Sequence, residues 1–285
     1  MRALLALSLV VVAALAGCAP AAPELPDGVE ATVFQNRSDY STRTLVIGIV
    51  NRSDAAITLT DATYSSPAFT ESMRWDRGTT LRAGGQVDLR VPLATVDCTG
   101  SDTAGTVTLG FVDAAGAPGV ATLPAVDTRA RIFEIVAEDC IGASTAAVAA
   151  VTIAPGLDWT PGAAAPATVR LDVQPLDGAT GPLTLERAHQ TVLLALVDDT
   201  GARVESVPID SSVRGGDAAT SIRLSFEPSR CDPHAVAEDK RGTFFPLDVM
   251  VTDGAQGTIY VAADDDTRAE IYAYIADFCG FESTR

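Results

Sequence analysis

"DTRARIFEIVAEDC" (127–140) and "DTRAEIYAYIADFC" (266–279) align without a gap, and seven of their fourteen positions are identical. The matches are Asp127–Ala130 with Asp266–Ala269, then Ile132/Ile271, Ala137/Ala276 and Cys140/Cys279. Upstream, "DLRVPLATVDC" (88–98) sets against "SIRLSFEPSRC" (221–231), pairing Arg90 with Arg223 and Cys98 with Cys231. The turns "TTLRAGG" and "SSVRGG" precede these stretches, and "ATV" occurs early in both halves, at Ala31 and Ala167. The chain therefore carries two copies of one unit of about 110 to 115 residues, an ordinary domain size.

Short runs rich in Val, Ile, Leu and Thr recur through both copies: "TLVIGIV" (44–50), "QVDLRVPL" (86–93), "TVTLGFV" (106–112), "ATVRLDV" (167–173), "TVLLALV" (191–197) and "SIRLSF" (221–226). Turn-forming stretches such as "NRSD", "DAAGAPG", "DDTG" and "RGGD" separate them. Strands at this spacing with glycine-rich turns, and few long helical patterns, predict an all-β chain of two tandem sandwiches. The pattern resembles the bacterial immunoglobulin-like and fibronectin-like β-sandwiches carried on secreted proteins. No tryptophan lies between the cysteines of either unit, so an antibody-type core is not implied.

The N-terminus has a different character. Met1 and Arg2 precede an apolar run, Ala3–Leu15, broken only by Ser8, and no acid occurs before Glu24. A charged start, a short apolar stretch and small residues make the layout of a secretory signal peptide. The run of 13 residues is well short of the roughly 20 that a membrane-spanning helix needs. Leu15-Ala16-Gly17-Cys18 resembles the lipobox of bacterial lipoproteins, and that resemblance implies cleavage before Cys18 and a diacylglycerol on its thiol. Two acyl chains on one residue give stable anchoring where one gives only marginal affinity. After it, "APAAPELPDG" (19–28), with Pro20, Pro23 and Pro26, reads as a semi-extended tether. The expected organisation is signal peptide 1–17, lipidated tether 18–28, sandwich 29–141, linker 142–165 with a strand that "AAVAAVTIA" adds to its neighbour, and sandwich 166–285. Trp159, in the linker, is expected either to plug the junction between the sandwiches or to be an exposed contact residue.

With Cys18 assigned to lipid, Cys98, Cys140, Cys231 and Cys279 remain, and four cysteines allow three pairings. A duplicated unit keeps its bridge within each copy, which selects Cys98–Cys140 and Cys231–Cys279. Export to an oxidising compartment is consistent with both bonds. Each closes a loop of some forty residues, a constraint on the unfolded chain of about 4 kcal/mol.

The formal net charge is −17. Such a chain is repelled by nucleic acid phosphates and anionic headgroups alike, so no nucleic acid partner is expected, and the expected membrane contact is the lipid on Cys18. Lys240 is the only lysine among 20 basic residues, which with the abundant Ala and Gly reads as high-GC codon usage of the actinobacterial kind.

Chemistry-bearing constellations are few. The only histidines are His189 and His234, and no serine lies in a G-x-S-x-G context. No phosphate-cradling loop or zinc-binding spacing occurs, so no enzyme and no cofactor is expected. The second copy departs from the first in "CDPHAVAEDKRGTFF" (231–245), where eleven steps separate cysteine from the Gly-Thr pair against seven in the first copy. Asp232, His234 and Glu238 offer carboxylates and an imidazole there, the last two sharing one face of a helix. The same residues read as a short capped helix: Asp232 as N-cap, Pro233 at its first position, Glu238 and Asp239 mid-helix, Lys240 and Arg241 at its end and Gly242 as terminator. The capped helix is the expectation, with a metal site as its alternative. Asp264, Asp265 and Asp266 are expected to form a solvated turn, with weak calcium binding as the alternative. The function expected is a non-enzymatic binding or structural module contacting protein or glycan on the outer face of the cell membrane. The runner-up is capture of a solute or metal by the 231–242 insert.

Mass spectrometry of the mature N-terminus checks the anchor. Cys18 is expected as the first residue with a thioether-linked diacylglycerol; an unlipidated Cys18, or Cys18 in a disulfide, overturns the assignment.

Overall fold

Alternating hydrophobicity forms strands in the computed structural model, which describes residues 23–239 and 241–281. The signal peptide, Cys18 and the first part of the tether lie outside the described residues. In the first unit the strands are β1 (Val29–Phe34), β2 (Thr44–Asn51), β3 (Ile57–Ser65), β4 (Met73–Trp75), β5 (Thr79–Leu81), β6 (Gln86–Pro92), β7 (Gly105–Val112) and β8 (Pro118–Val126). β6 shows the rule: Leu89 and Val91 are buried while Asp88, Arg90 and Pro92 are exposed, because successive side chains leave opposite faces of a pleated strand. The order is β4-β3-β7-β8-β1-β2-β6, with β5 also on β3. The terminal strands β4 and β6 come back into contact, so the sheet wraps into two layers around one core.

β1 pairs with β8 in parallel through Ala31–Ala125 and Thr32–Val126, and every other ladder is antiparallel. Pro23 lies against Gly119 at the start of β8. β1 and β8 then run together toward α1 (Arg131–Ala146), which carries the chain into the second unit. Pro23, the first described residue, thus sits at the end of the first unit opposite α1, a β8 length of about 30 Å away.

The second unit continues with β9 (Ala149–Ile153), β10 (Ala167–Pro175), β11 (Pro182–His189), β12 (Leu194–Val197), β13 (Arg203–Val204), β14 (Ser206–Arg214), β15 (Thr220–Pro228), α2 (Pro233–Ala237), β16 (Phe244–Val251), β17 (Gln256–Ala262) and α3 (Asp265–Cys279). Two antiparallel sheets, β13-β12-β15-β10-β9 and β14-β11-β16-β17, enclose its core. The two "ATV" stretches do not occupy equivalent strands. Ala31 lies on β1, whereas Ala167 lies on β10, which pairs with β9 as β2 pairs with β1. The opening strand of the second unit is β9, and the segment read as a linker begins inside α1.

The strand-built architecture stands as read from the sequence, with two long helices added at the repeated "DTRA" stretches. Each helix ends its unit and brings a cysteine to the strand side: Cys98–Cys140 and Cys231–Cys279 are bonded, with Cα–Cα distances of 5.5 and 5.3 Å. The copies start these helices differently. Asp127 accepts hydrogen bonds from the Arg131 and Ile132 N–H groups at 2.9 and 2.7 Å, whereas α3 begins earlier, with the Asp264 carboxylate accepting from Thr267 N–H at 2.7 Å. Trp159 does not reach the junction; it packs edge-on against Tyr274 of α3, ring centroids 5.6 Å apart.

α1 is shared between the units. Ile132 and Ile135 belong to the first core, while Ile141, two turns on, belongs to the second. Ile141 packs under Gly257 of β17 so closely that a Cβ there would lie 3.2 Å from its side chain. Ile141→Ala is expected to destabilise the chain by about 2 to 5 kcal/mol and to raise hydrogen exchange at α1 and β17 together. Exchange that rises in one unit alone would mean that the helix does not couple them.

Candidate binding cleft

A short 3₁₀ turn, Arg37–Asp39, carries the chain from β1 to Tyr40. Asp39 is fully buried, accepts the Asn36 N–H at 2.7 Å and is paired with Arg90 from β6. A buried carboxylate is costly unless paired, and here the pairing fixes the turn, so Tyr40 projects from a rigid base.

Tyr40 faces Arg131, whose guanidinium lies 4.4 Å from the ring centroid. Arg131 is almost wholly buried. Its Nε donates to Gln35 Oε1 at 2.8 Å, and its terminal nitrogens donate to Glu134 at 2.7 Å and Glu138 at 3.2 and 3.4 Å. Burial works against this charge, but the two carboxylates outweigh it and raise the guanidinium above its ordinary range. Nearby, Arg43 donates to both Asp139 oxygens at 2.7 and 2.6 Å, and that bidentate pair raises it likewise.

Opposite these groups stands Arg241, from the segment preceding β16. Its guanidinium lies 4.0 Å from the Tyr260 ring centroid, 5.2 Å from Tyr40 and 5.9 Å from Phe244. It therefore lies over aromatic rings of both units. Among the described residues it has no carboxylate partner. Between these walls lies a cleft of about 710 Å³, with Leu93, Ile135 and Ile259 on its apolar side and Glu138 and Asp139 on its acidic rim. Its volume is within the range of small-molecule sites.

The insert forms the short capped helix expected. Asp232 accepts from His234 N–H at 3.0 Å and Pro233 opens α2. The helix is shorter than its sequence implies: it ends at Ala237, Glu238 is its C-cap, and Asp239 lies beyond it. Gly242 is not a left-handed terminator; a Cβ there would fall 2.5 Å from Leu193 Cγ, so glycine is required by space. Asp239 instead organises the exit. It accepts from Gly242 N–H at 2.7 Å, from Arg241 N–H at 3.3 Å and from the Tyr272 hydroxyl of α3 at 3.0 Å, which aims Arg241 at the cleft.

The candidate metal ligands do not converge. His234 is 93% exposed, its Nδ1 is 3.6 Å from Asp232 Oδ1, and no group of three potential ligands forms among the described residues. Asp264 is the N-cap of α3, with Asp265 and Asp266 in its first turn. His189 Nε2 lies 2.6 Å from Asp248 Oδ2, within the β11–β16 ladder. Of the cleft residues, the sequence singled out Arg241, as a helix-end charge, and Cys98, as a disulfide cysteine. One signal was present in the repeat: Arg131 aligns with Glu270 and Glu138 with Asp277. In the second copy those acids hold the 154–166 loop, accepting Leu157 N–H at 2.7 Å and Gly162 N–H at 2.8 Å.

No protein-family model matches the sequence, and no curated protein does. Among solved structures, red sea bream transglutaminase has 12% identity and a TM-score of 0.22, covering 83% of this chain and 31% of its own. This chain thus spans about a third of that protein. The Pseudomonas aeruginosa CupB2 chaperone has 10% identity and a TM-score of 0.19, covering 78% and 93%. The B domain of a biofilm associated protein has 8% identity and a TM-score of 0.23, covering 84% and 86%.

Tyr272 and Tyr274 stay protonated to about 12, against an ordinary 10.0, mainly through burial, with the Asp239 charge adding to the effect at Tyr272. A phenol with a raised folded-state pKa stabilises the fold fully below its ordinary value, and the contribution is lost as pH rises through the raised one. Denaturant unfolding is therefore expected to show stability falling from about pH 10 to about pH 12. Tyr272→Phe is expected to flatten that slope; an unchanged slope would remove Tyr272 from it.

Proposed function

We propose that the protein is an extracytoplasmic lipoprotein, held through Cys18 on the outer face of a bacterial cell membrane, and that it acts as a non-enzymatic binding module. The observation that carries the binding role is the cleft, which both units line and which faces rigid aromatic and cationic groups. Among its described lining residues there is no histidine, and its one cysteine, Cys98, is in a disulfide. Pro23, five residues after Cys18, lies at the end of the first unit remote from α1 and the cleft, a position that supports the anchor.

A second reading, capture of a solute by the 231–242 insert, is favoured by one observation. Arg241 of that insert lines the cleft, although His234 does not.

Crosslinking and pull-down of the acylated full chain from its own membrane tests the module. Recovery of a protein or glycan above background is expected, and recovery of nothing from membranes in which the chain is intact overturns a macromolecular partner.

A further inference from the structure

The arginines of the cleft are not equivalent. Arg131 and Arg43 have spent their in-plane donors on Glu134, Glu138, Gln35 and Asp139. The Arg241 guanidinium lies over the Tyr40 and Tyr260 rings and has no carboxylate partner among the described residues. Stacking occupies the faces of a guanidinium and leaves its rim of N–H donors, the fork that matches a planar oxyanion in bidentate fashion. Arg241 is also partly desolvated between two rings, where a charge-assisted hydrogen bond is stronger than in water.

The surroundings narrow the ligand. Leu93, Ile135 and Ile259 offer an apolar floor, so the anion carries an apolar body. Glu138 and Asp139 line the same cleft and repel a dianion more than a monoanion, which disfavours phosphate. Arg131 and Arg43 are balanced by Glu134, Glu138 and Asp139, and Arg241, the cleft arginine without a carboxylate partner among the described residues, disfavours a cationic ligand. The geometry points to a binding site for an organic monocarboxylate, its carboxylate seated on the Arg241 fork and its apolar body against Ile135 and Ile259, closing the gap between the two units. This rests on the binding-module reading and names the ligand class of that cleft; it does not depend on the lipid.

The test is titration of the full chain, carried in detergent, with N-acetylphenylalanine, its carboxamide and phenyl phosphate, followed by methyl NMR and the Arg241 Nε–H signal. Saturable shifts at Ile135, Ile259 and Arg241 are expected with the carboxylate alone. Arg241→Gln is expected to weaken binding about tenfold or more, the loss of a charged hydrogen-bond pair. Since Arg241 also joins rings of both units, Arg241→Lys keeps the charge and loses the planar fork, and with an unchanged unfolding midpoint it is expected to bind several-fold more weakly. His234→Ala, on the same segment but outside the cleft, is expected to bind as wild type. Equal binding of the carboxamide, tighter binding of phenyl phosphate, or wild-type affinity in Arg241→Lys would each overturn the assignment. A chain that captures a membrane partner but gives no saturable shift with the carboxylate overturns this inference and leaves the module standing. Saturable shifts without any captured partner support this inference and overturn the macromolecular reading.

Discussion

One helix holds the two halves of this molecule in register. α1 contributes Ile132 and Ile135 to the first core and Ile141 to the second. A helix rises about 1.5 Å per residue, so these anchors are separated by a short rigid rod and not by a loop that can change length. Cys140, bonded to Cys98, pins the rod to the first unit one residue before Ile141 enters the second. Interfaces within a chain often permit relative motion. Sharing a helix between cores restricts it, because displacing either unit would pull an isoleucine out of a packed site.

The cleft follows from that constraint. The side of α1 that carries Arg131, Glu138 and Asp139, with Ile135 among them, lines the cleft together with Phe244 of β16 and Ile259 and Tyr260 of β17. Arg131 is stabilised there only because Glu134, Glu138 and Gln35 surround it; a guanidinium so deeply buried without them would be strongly unfavourable. Tyr40 closes one side from a turn whose carboxylate, Asp39, is itself buried and paired. Three arginines thus meet in a protein whose formal charge is −17. Their meeting comes from tertiary arrangement, since Arg43, Arg131 and Arg241 are far apart along the chain, and Asp139, Glu134 and Glu138 balance the first two.

Much of the fold was legible in residues. Leu89 and Val91 against Asp88 and Arg90 spell a half-buried strand, and the matched cysteines of the repeat identify both disulfides. Asp232 and Pro233 announce a helix start, which the structure contains. The helices at 131–146 and 265–279 were harder to see, because their apolar positions serve more than one partner. In α1 the buried residues turn from one core to the other, which breaks the single stripe that periodicity detects. The first strand of the second unit was obscured for a related reason: Ala149 follows α1 so closely that the segment reads as a connector. The cleft was illegible except at one point, the opposite charges of Arg131 and Glu270 within an otherwise matched stretch.

That mismatch explains how a duplicated unit acquired two jobs for one helix. In the second copy, Glu270 and Asp277 point to the 154–166 loop and satisfy its backbone N–H groups, and Tyr274 takes the core position that Ile135 holds in the first. α3 is therefore covered by its own unit. α1 has no such loop, and its polar side faces a neighbour instead. A carboxylate at position 131, as in the second copy, would confront Glu134 and Glu138 with no cation between them. The arginine is what allows that acidic helix side to be buried at a junction, and once it is there, stacked under Tyr40, the two units meet across a lined cavity and not across a dry interface.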